Sequence, residues 1–140
     1  MKIEFSIPQP RELLPLLRSV PIAVRGQSWS ETCLGTGAKD QGVYVIHHGD
    51  TILYVGKTDG DKMTFGVRLR REFQESASGG RHIFPKLAAL KRPPDLAVYL
   101  FPASAIGKIV SVHGLDVSST ALIPVLEAVL IAAYKPVFQK

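Results

Sequence analysis

The chain has 140 residues, 46% hydrophobic and 21% charged, with a formal charge of +5. That suffices for one domain with its own core, and the single cysteine, Cys33, excludes an internal disulfide. The longest apolar block, Ala121 to Ala133, is interrupted by Pro124 and Glu127 and is too short for a membrane span, and the opening Met1-Lys2-Ile3-Glu4 shows no apolar leader, so a cytoplasmic protein without a membrane partner is expected.

Residues 1–41 carry no recognisable chemistry and read as an N-terminal extension packed on a main domain of residues 42–140. Ile3 and Phe5 fit a short strand, and Pro10-Arg11-Glu12-Leu13-Leu14 opens like a helix that Pro15 then disturbs. Glycines and polar residues from Gly26 to Asp40 read as loop, with Trp29 as a packing anchor.

Gly42 to Ile46 and Thr51 to Val55 are β-branched and aromatic, and the polar turn His48-Gly49-Asp50 between them predicts an antiparallel hairpin. Alternation along a strand puts Tyr44, Ile46 and His48 on one face and Val43, Val45 and His47 on the other. On the second strand Ile52, Tyr54 and Gly56 are expected together, opposite Leu53 and Val55. Pairing about Gly49-Asp50 would bring the hydroxyls of Tyr44 and Tyr54 to one end of one face.

After a polar loop, Phe65, Leu69 and Phe73 form an apolar stripe at helical spacing, with Thr64 as the cap and Arg68 on the flank one turn before Glu72. Ile83-Phe84 and Leu87 to Leu90 predict a second short helix, closed by Pro93-Pro94. Leu96 to Phe101 is an apolar run ended by Pro102 and reads as a third strand, whereas residues 103–117 fit either a helical turn or a strand. Ser118-Ser119-Thr120 precede a strong helix from Ala121 to about Tyr134, with Pro124 in its first turn and Pro136 beyond its end. The fold class expected is α+β: a small, mainly antiparallel three-stranded sheet flanked by helices.

Charge is concentrated. Between Lys57 and Arg92 nine basic residues face four acidic ones, an excess equal to that of the whole chain. Such a segment suits a polyanion, because neutralised phosphates release counterions; Lys62, Arg70, Arg71 and Arg81 are the expected nucleic-acid contacts. A solvated basic surface is the alternative. Glu127 is the only charge of the late helix, and a carboxylate between Leu126 and Ala128 needs a wet face, a basic partner or a metal ion.

Gly42-Val43-Tyr44, with Tyr54-Val55-Gly56 ten residues on and Lys57 at once after it, resembles the GIY-YIG nucleases, a family that includes homing endonucleases, the incision subunit of bacterial excision repair and some restriction enzymes. The order of later parts is similar too: a helix arginine (Arg68), a helix glutamate (Glu127), and Gln139 twelve residues on, where the family tends to have asparagine. The resemblance covers residues 42–139. It implies metal-dependent hydrolysis of phosphodiester bonds in DNA, with RNA as the alternative substrate. Glu127 would hold a single Mg²⁺, with Mn²⁺ the alternative, while Tyr44 draws a proton from the attacking water and Lys57 favours its phenolate. Tyr54 would orient water or phosphate, and Arg68 would offset charge on the phosphorus centre. Glu72 stands where several members have histidine or tyrosine, and is expected to take a proton or pair with Arg68.

Other motifs fail. Gly56-Lys57-Thr58 lacks the glycine spacing of a phosphate-binding loop, and His47, His48, His82, His113 and Cys33 have no zinc spacing. The competing function is a non-catalytic module that holds nucleic acid or protein on the same fold. So little chain is left for reading bases that weak sequence preference, or help from a homodimer or partner protein, is expected.

Overall fold

The computed structural model describes residues 2–12, 23, 27–74, 83–90 and 96–139. In chain order these form β1 (Lys2–Phe5), a 3-10 turn (Pro10–Glu12), a 3-10 segment (Glu31–Lys39), β2 (Gly42–His48), β3 (Thr51–Thr58), α1 (Phe65–Phe73), α2 (Phe84–Ala88), β4 (Leu96–Pro102), α3 (Ala103–Ile106), β5 (Val110–His113), a 3-10 turn (Thr120–Leu122) and α4 (Ile123–Tyr134). No helix among the described residues is long and apolar enough to cross a membrane.

The main sheet has the order β3-β2-β4, antiparallel throughout, and β1 and β5 make a separate antiparallel pair. The fold is thus the expected α+β class. β2 is bonded on both sides, so its residues from Gly42 to His47 are all buried, which is what the apolar run Gly-Val-Tyr-Val-Ile demands. At Gly42 the backbone of Phe101 and Pro102 fills the space a β-carbon would need.

Two hydrophobic clusters sandwich this sheet. Tyr44, Ile46 and Leu53 meet Phe65, Leu69 and Phe73 of α1 and Leu87 of α2, with Trp29 and Leu34 closing the cluster. On the opposite face Val43, Val45, Ile52 and Val55 meet Ile123, Leu126 and Leu130 of α4. Trp29 is buried and packs its ring 5.5 Å from that of Phe73.

The expected pairing of Ile52 with Tyr54 on one face, opposite Leu53, is corrected. Ile46 pairs with Tyr54 and His47 with Ile52, so Leu53 is an extra residue in a bulge. The bulge turns Leu53 to the α1 side and Ile52 to the α4 side. One further correction concerns a segment expected to be loop, and the stretch 103–117, expected as a helical turn or a strand, contains both. Residues Glu31–Lys39 are wound into 3-10 turns broken at Gly35, and Ser30 Oγ accepts the Thr32 N–H at their start. The 103–117 stretch supplies both a helical turn, α3, and a strand, β5, whose partner is the N-terminal β1. Of the expected N-terminal helix only the Pro10–Glu12 turn falls within the described residues; Leu13, Leu14 and Pro15 lie outside them, as does Pro93-Pro94.

Both site-bearing helices have legible ends. Thr64 Oγ1 accepts the Val67 N–H at the start of α1. α4 begins with Pro124 in its first turn and ends where Lys135 turns left-handed (φ 49°) and donates its N–H to the Ile131 carbonyl. Beyond Pro136 the chain runs along the outer edge of β3: the N–H groups of Val137 and Phe138 donate to the carbonyls of Ile52 and Leu53.

Candidate active site

The hairpin register places Tyr44 opposite Gly56 and Ile46 opposite Tyr54. Both tyrosines therefore point to the α1 face, with ring centroids 6.1 Å apart. Tyr44 is fully buried, whereas Tyr54 is partly exposed. The Tyr44 ring lies in the space that a side chain at Gly56 would occupy.

α1 delivers two groups to the Tyr44 hydroxyl. Arg68 Nε donates to the phenolic oxygen over 3.2 Å, and the hydroxyl donates to Glu72 Oε1 over 3.5 Å. Arg68 and Glu72, one helical turn apart, are themselves 3.7 Å apart, with the arginine side chain 21% exposed and the glutamate 0%. The result is a buried triangle of guanidinium, phenol and carboxyl. Arg68 reaches out of it towards solvent; Glu72 does not.

Burial dominates the electrostatics. It pushes the Tyr44 hydroxyl well above the usual phenol range, helped by the charge of Glu72 and opposed by Arg68. Tyr54 is raised for the same reasons, with Arg68 again pulling it back and Glu127 adding to the rise. Glu72 is pushed up to about 7 by burial, against the pull of Arg68, a hydrogen bond from the Ile83 backbone, the Tyr44 hydroxyl and Arg71.

Lys57 is one residue past Gly56 and opposite Val43, so the pleat turns it to the α4 face. There it pairs with Asp59, Nζ to Oδ2 3.2 Å. The expectation that Lys57 favours a phenolate at Tyr44 is corrected: the cation at that hydroxyl is Arg68. Lys57 instead bears on Glu127. Burial raises the Glu127 carboxyl above its ordinary value, Asp59 adds to the rise, and Lys57 and Arg68 oppose it. Glu127 thus feels the charges of Lys57, Asp59 and Arg68, and its own charge bears on Tyr54.

Gln139 is occupied elsewhere. Its Oε1 accepts the Val55 N–H and its Nε2 donates to the Val55 carbonyl, each over 3.1 Å, so its amide pairs with β3 as a peptide group would. Lys62 and Arg70 are exposed and Arg71 is partly so; Arg81 lies outside the described residues. Asp59 was missed by sequence reasoning, and its signal was its position two residues after Lys57. Gly56, named in the second tripeptide, is the residue opposite Tyr44.

Glu127 is a hard oxygen donor of the kind a magnesium ion takes, and a cation beside it would relieve the cost of its half-buried carboxylate. Among the described residues no three His, Cys, Asp or Glu side chains cluster as a metal site. No protein-family model, curated protein or solved structure matches the chain.

Proposed function

We propose that the protein is a GIY-YIG-like endonuclease that hydrolyses phosphodiester bonds in DNA with one Mg²⁺ ion held by Glu127. The observation that carries this reading is the hairpin register that sets Tyr44 opposite Gly56 and Tyr54 beside it, with the Tyr44 hydroxyl bonded to Arg68 Nε of α1. The charge of Glu127, on α4, bears on Tyr54 and is opposed by Lys57 and Arg68.

In this mechanism Arg68 has the central role. Tyr44 and Glu72 hold its Nε from behind, which leaves the outer part of the guanidinium to meet a phosphate and offset the charge that builds on it; such preorganised donors are commonly worth about 3 kcal/mol or more. Tyr54, the partly exposed phenol, would touch the attacking water; burial and Glu72 raise its proton affinity and Arg68 opposes that rise. Tyr44 is enclosed and serves as the post that fixes Arg68. Lys57 and the exposed Lys62, Arg70 and Arg71 contact the nucleic-acid backbone. A magnesium ion at Glu127 would supply polarisation of the phosphate and relief of charge at the leaving oxygen.

The test is cleavage of supercoiled plasmid, single-stranded DNA and RNA by purified protein, with Mg²⁺ and with chelator. Mg²⁺-dependent nicking of plasmid is expected, and its abolition by Arg68→Ala. One observation favours a second reading, a module that binds nucleic acid without cutting it: the Tyr44 hydroxyl is closed off from solvent and its pKa is raised. Duplex binding with no cleavage under any of these conditions would select that reading.

A further inference from the structure

Arg68 has two claimants. Inside the protein it faces the Glu72 carboxyl at 3.7 Å and the Tyr44 hydroxyl at 3.2 Å; outside, it faces the place where the proposed function puts a phosphate. An ionised Glu72 neutralises the guanidinium within the protein and repels a second anion brought close to it. A protonated Glu72 keeps its hydroxyl and carbonyl oxygen for hydrogen bonding but no longer sets a negative charge beside Arg68.

We propose that Glu72 is an internal competitor of the phosphate for Arg68, so that nucleic acid is bound best by the form of the protein in which Glu72 carries a proton. The inference rests on the nuclease reading above and adds to it a pH control of substrate affinity. The geometry makes the competition direct, because the carboxyl has no exposed surface and its charge cannot be dispersed into water. The surroundings place the switch near neutrality: Glu72 titrates at about 7, raised first by burial.

Among the described residues, the groups facing Glu72 agree with this assignment. From α1 itself come Arg68 and Arg71, from β2 Tyr44, from β3 Tyr54, and from the residue before α2 the Ile83 backbone. The 3-10 segment Glu31–Lys39 also lies on α1, but its Glu31 rests against Gly66, at the opposite end of the helix. Loss of the proton from Glu72 therefore changes the charge seen by Arg68 and both phenols. Because linkage is reciprocal, phosphate bound at Arg68 must in turn raise the proton affinity of Glu72.

The experiment is duplex-DNA binding in chelator at constant ionic strength, followed by fluorescence anisotropy from roughly pH 6 to 9, for wild type and Glu72→Gln. Wild-type affinity should fall as pH rises through about 7, approaching tenfold per pH unit if binding requires one proton. Glu72→Gln should remove that dependence and bind more tightly than wild type at the alkaline end. Groups common to both proteins cancel in the difference between the two profiles, which isolates the effect of Glu72. Wild-type calorimetry at roughly pH 8 in buffers of different ionisation enthalpy gives a readout that survives a misfolded variant: DNA binding should take up about one proton. A flat difference profile, or no proton uptake, overturns this inference and leaves the nuclease reading intact. Absence of duplex binding by folded protein at every pH removes both.

Discussion

Tyr44 sits across the hairpin from Gly56, and its ring takes the volume that any side chain at residue 56 would need. The glycine of the second tripeptide is thereby explained by the tyrosine of the first. Gly56→Ala should force Tyr44 out of its buried position at a cost of about 1 to 3 kcal/mol, the usual penalty of overpacking, and should loosen the bond to Arg68. Urea unfolding measures the first effect. A change below about 0.5 kcal/mol would show that the ring is free to move aside.

Glu72 gives the fold a defined pH dependence. Its carboxyl is raised from 4.5 to about 7 in the folded chain, so between those values the folded state binds more protons than the unfolded one. Stability is then greatest, as far as this group is concerned, below about pH 4.5, and is lost as pH rises through about 7, by up to about 3 kcal/mol. Glu72→Gln should match wild type near the acid end and exceed it at roughly pH 8. Denaturation at both pH values checks this. A variant less stable than wild type at the higher pH would mean that the ion pair with Arg68 outweighs the cost of burying the carboxylate.

Removing the Gln139 amide leaves the N–H and carbonyl of Val55 without the two bonds it supplies. Gln139→Ala should cost about 1 to 2 kcal/mol. It should also speed hydrogen exchange at the Val55 amide far more than at Val45 in the central strand. Equal exchange in variant and wild type would show that water replaces the side chain without loss.

Glu127→Gln keeps the size of the side chain and removes its charge. On the nuclease reading, Mg²⁺-dependent nicking should fall by roughly a hundredfold or more while the melting temperature rises or stays level, because a half-buried carboxylate is no longer desolvated. Cleavage within a few-fold of wild type would take the metal away from Glu127.

Much of this arrangement was legible in the chain. The stripe Phe65, Leu69, Phe73 with Thr64 as cap gave α1, and the Gly49-Asp50 turn gave the hairpin, because both are local patterns set by side-chain periodicity and capping. The same period also points to Glu72: it stands seven residues after Phe65 on the buried stripe, a position where a carboxylate is conspicuous. What escaped was non-local. The bulge at Leu53 alters which faces Ile52 and Leu53 serve, and no single residue there announces it. The turning of Lys57 away from Tyr44 follows from strand alternation, but only once the register is fixed. The union of β1 with β5 needs contacts between segments far apart in the chain, Phe5 with Val110, and Gln139 finds Val55 only because the chain after α4 returns along β3.

That return has a consequence for how molecules of this protein can meet. A strand donated by a neighbour to the β3 edge would find Ile52, Leu53 and Val55 already partnered by Val137, Phe138 and Gln139. Residues 137–139 thus act as a guard against runaway sheet growth at this rim, and fibrous aggregation through it has to wait until they peel off.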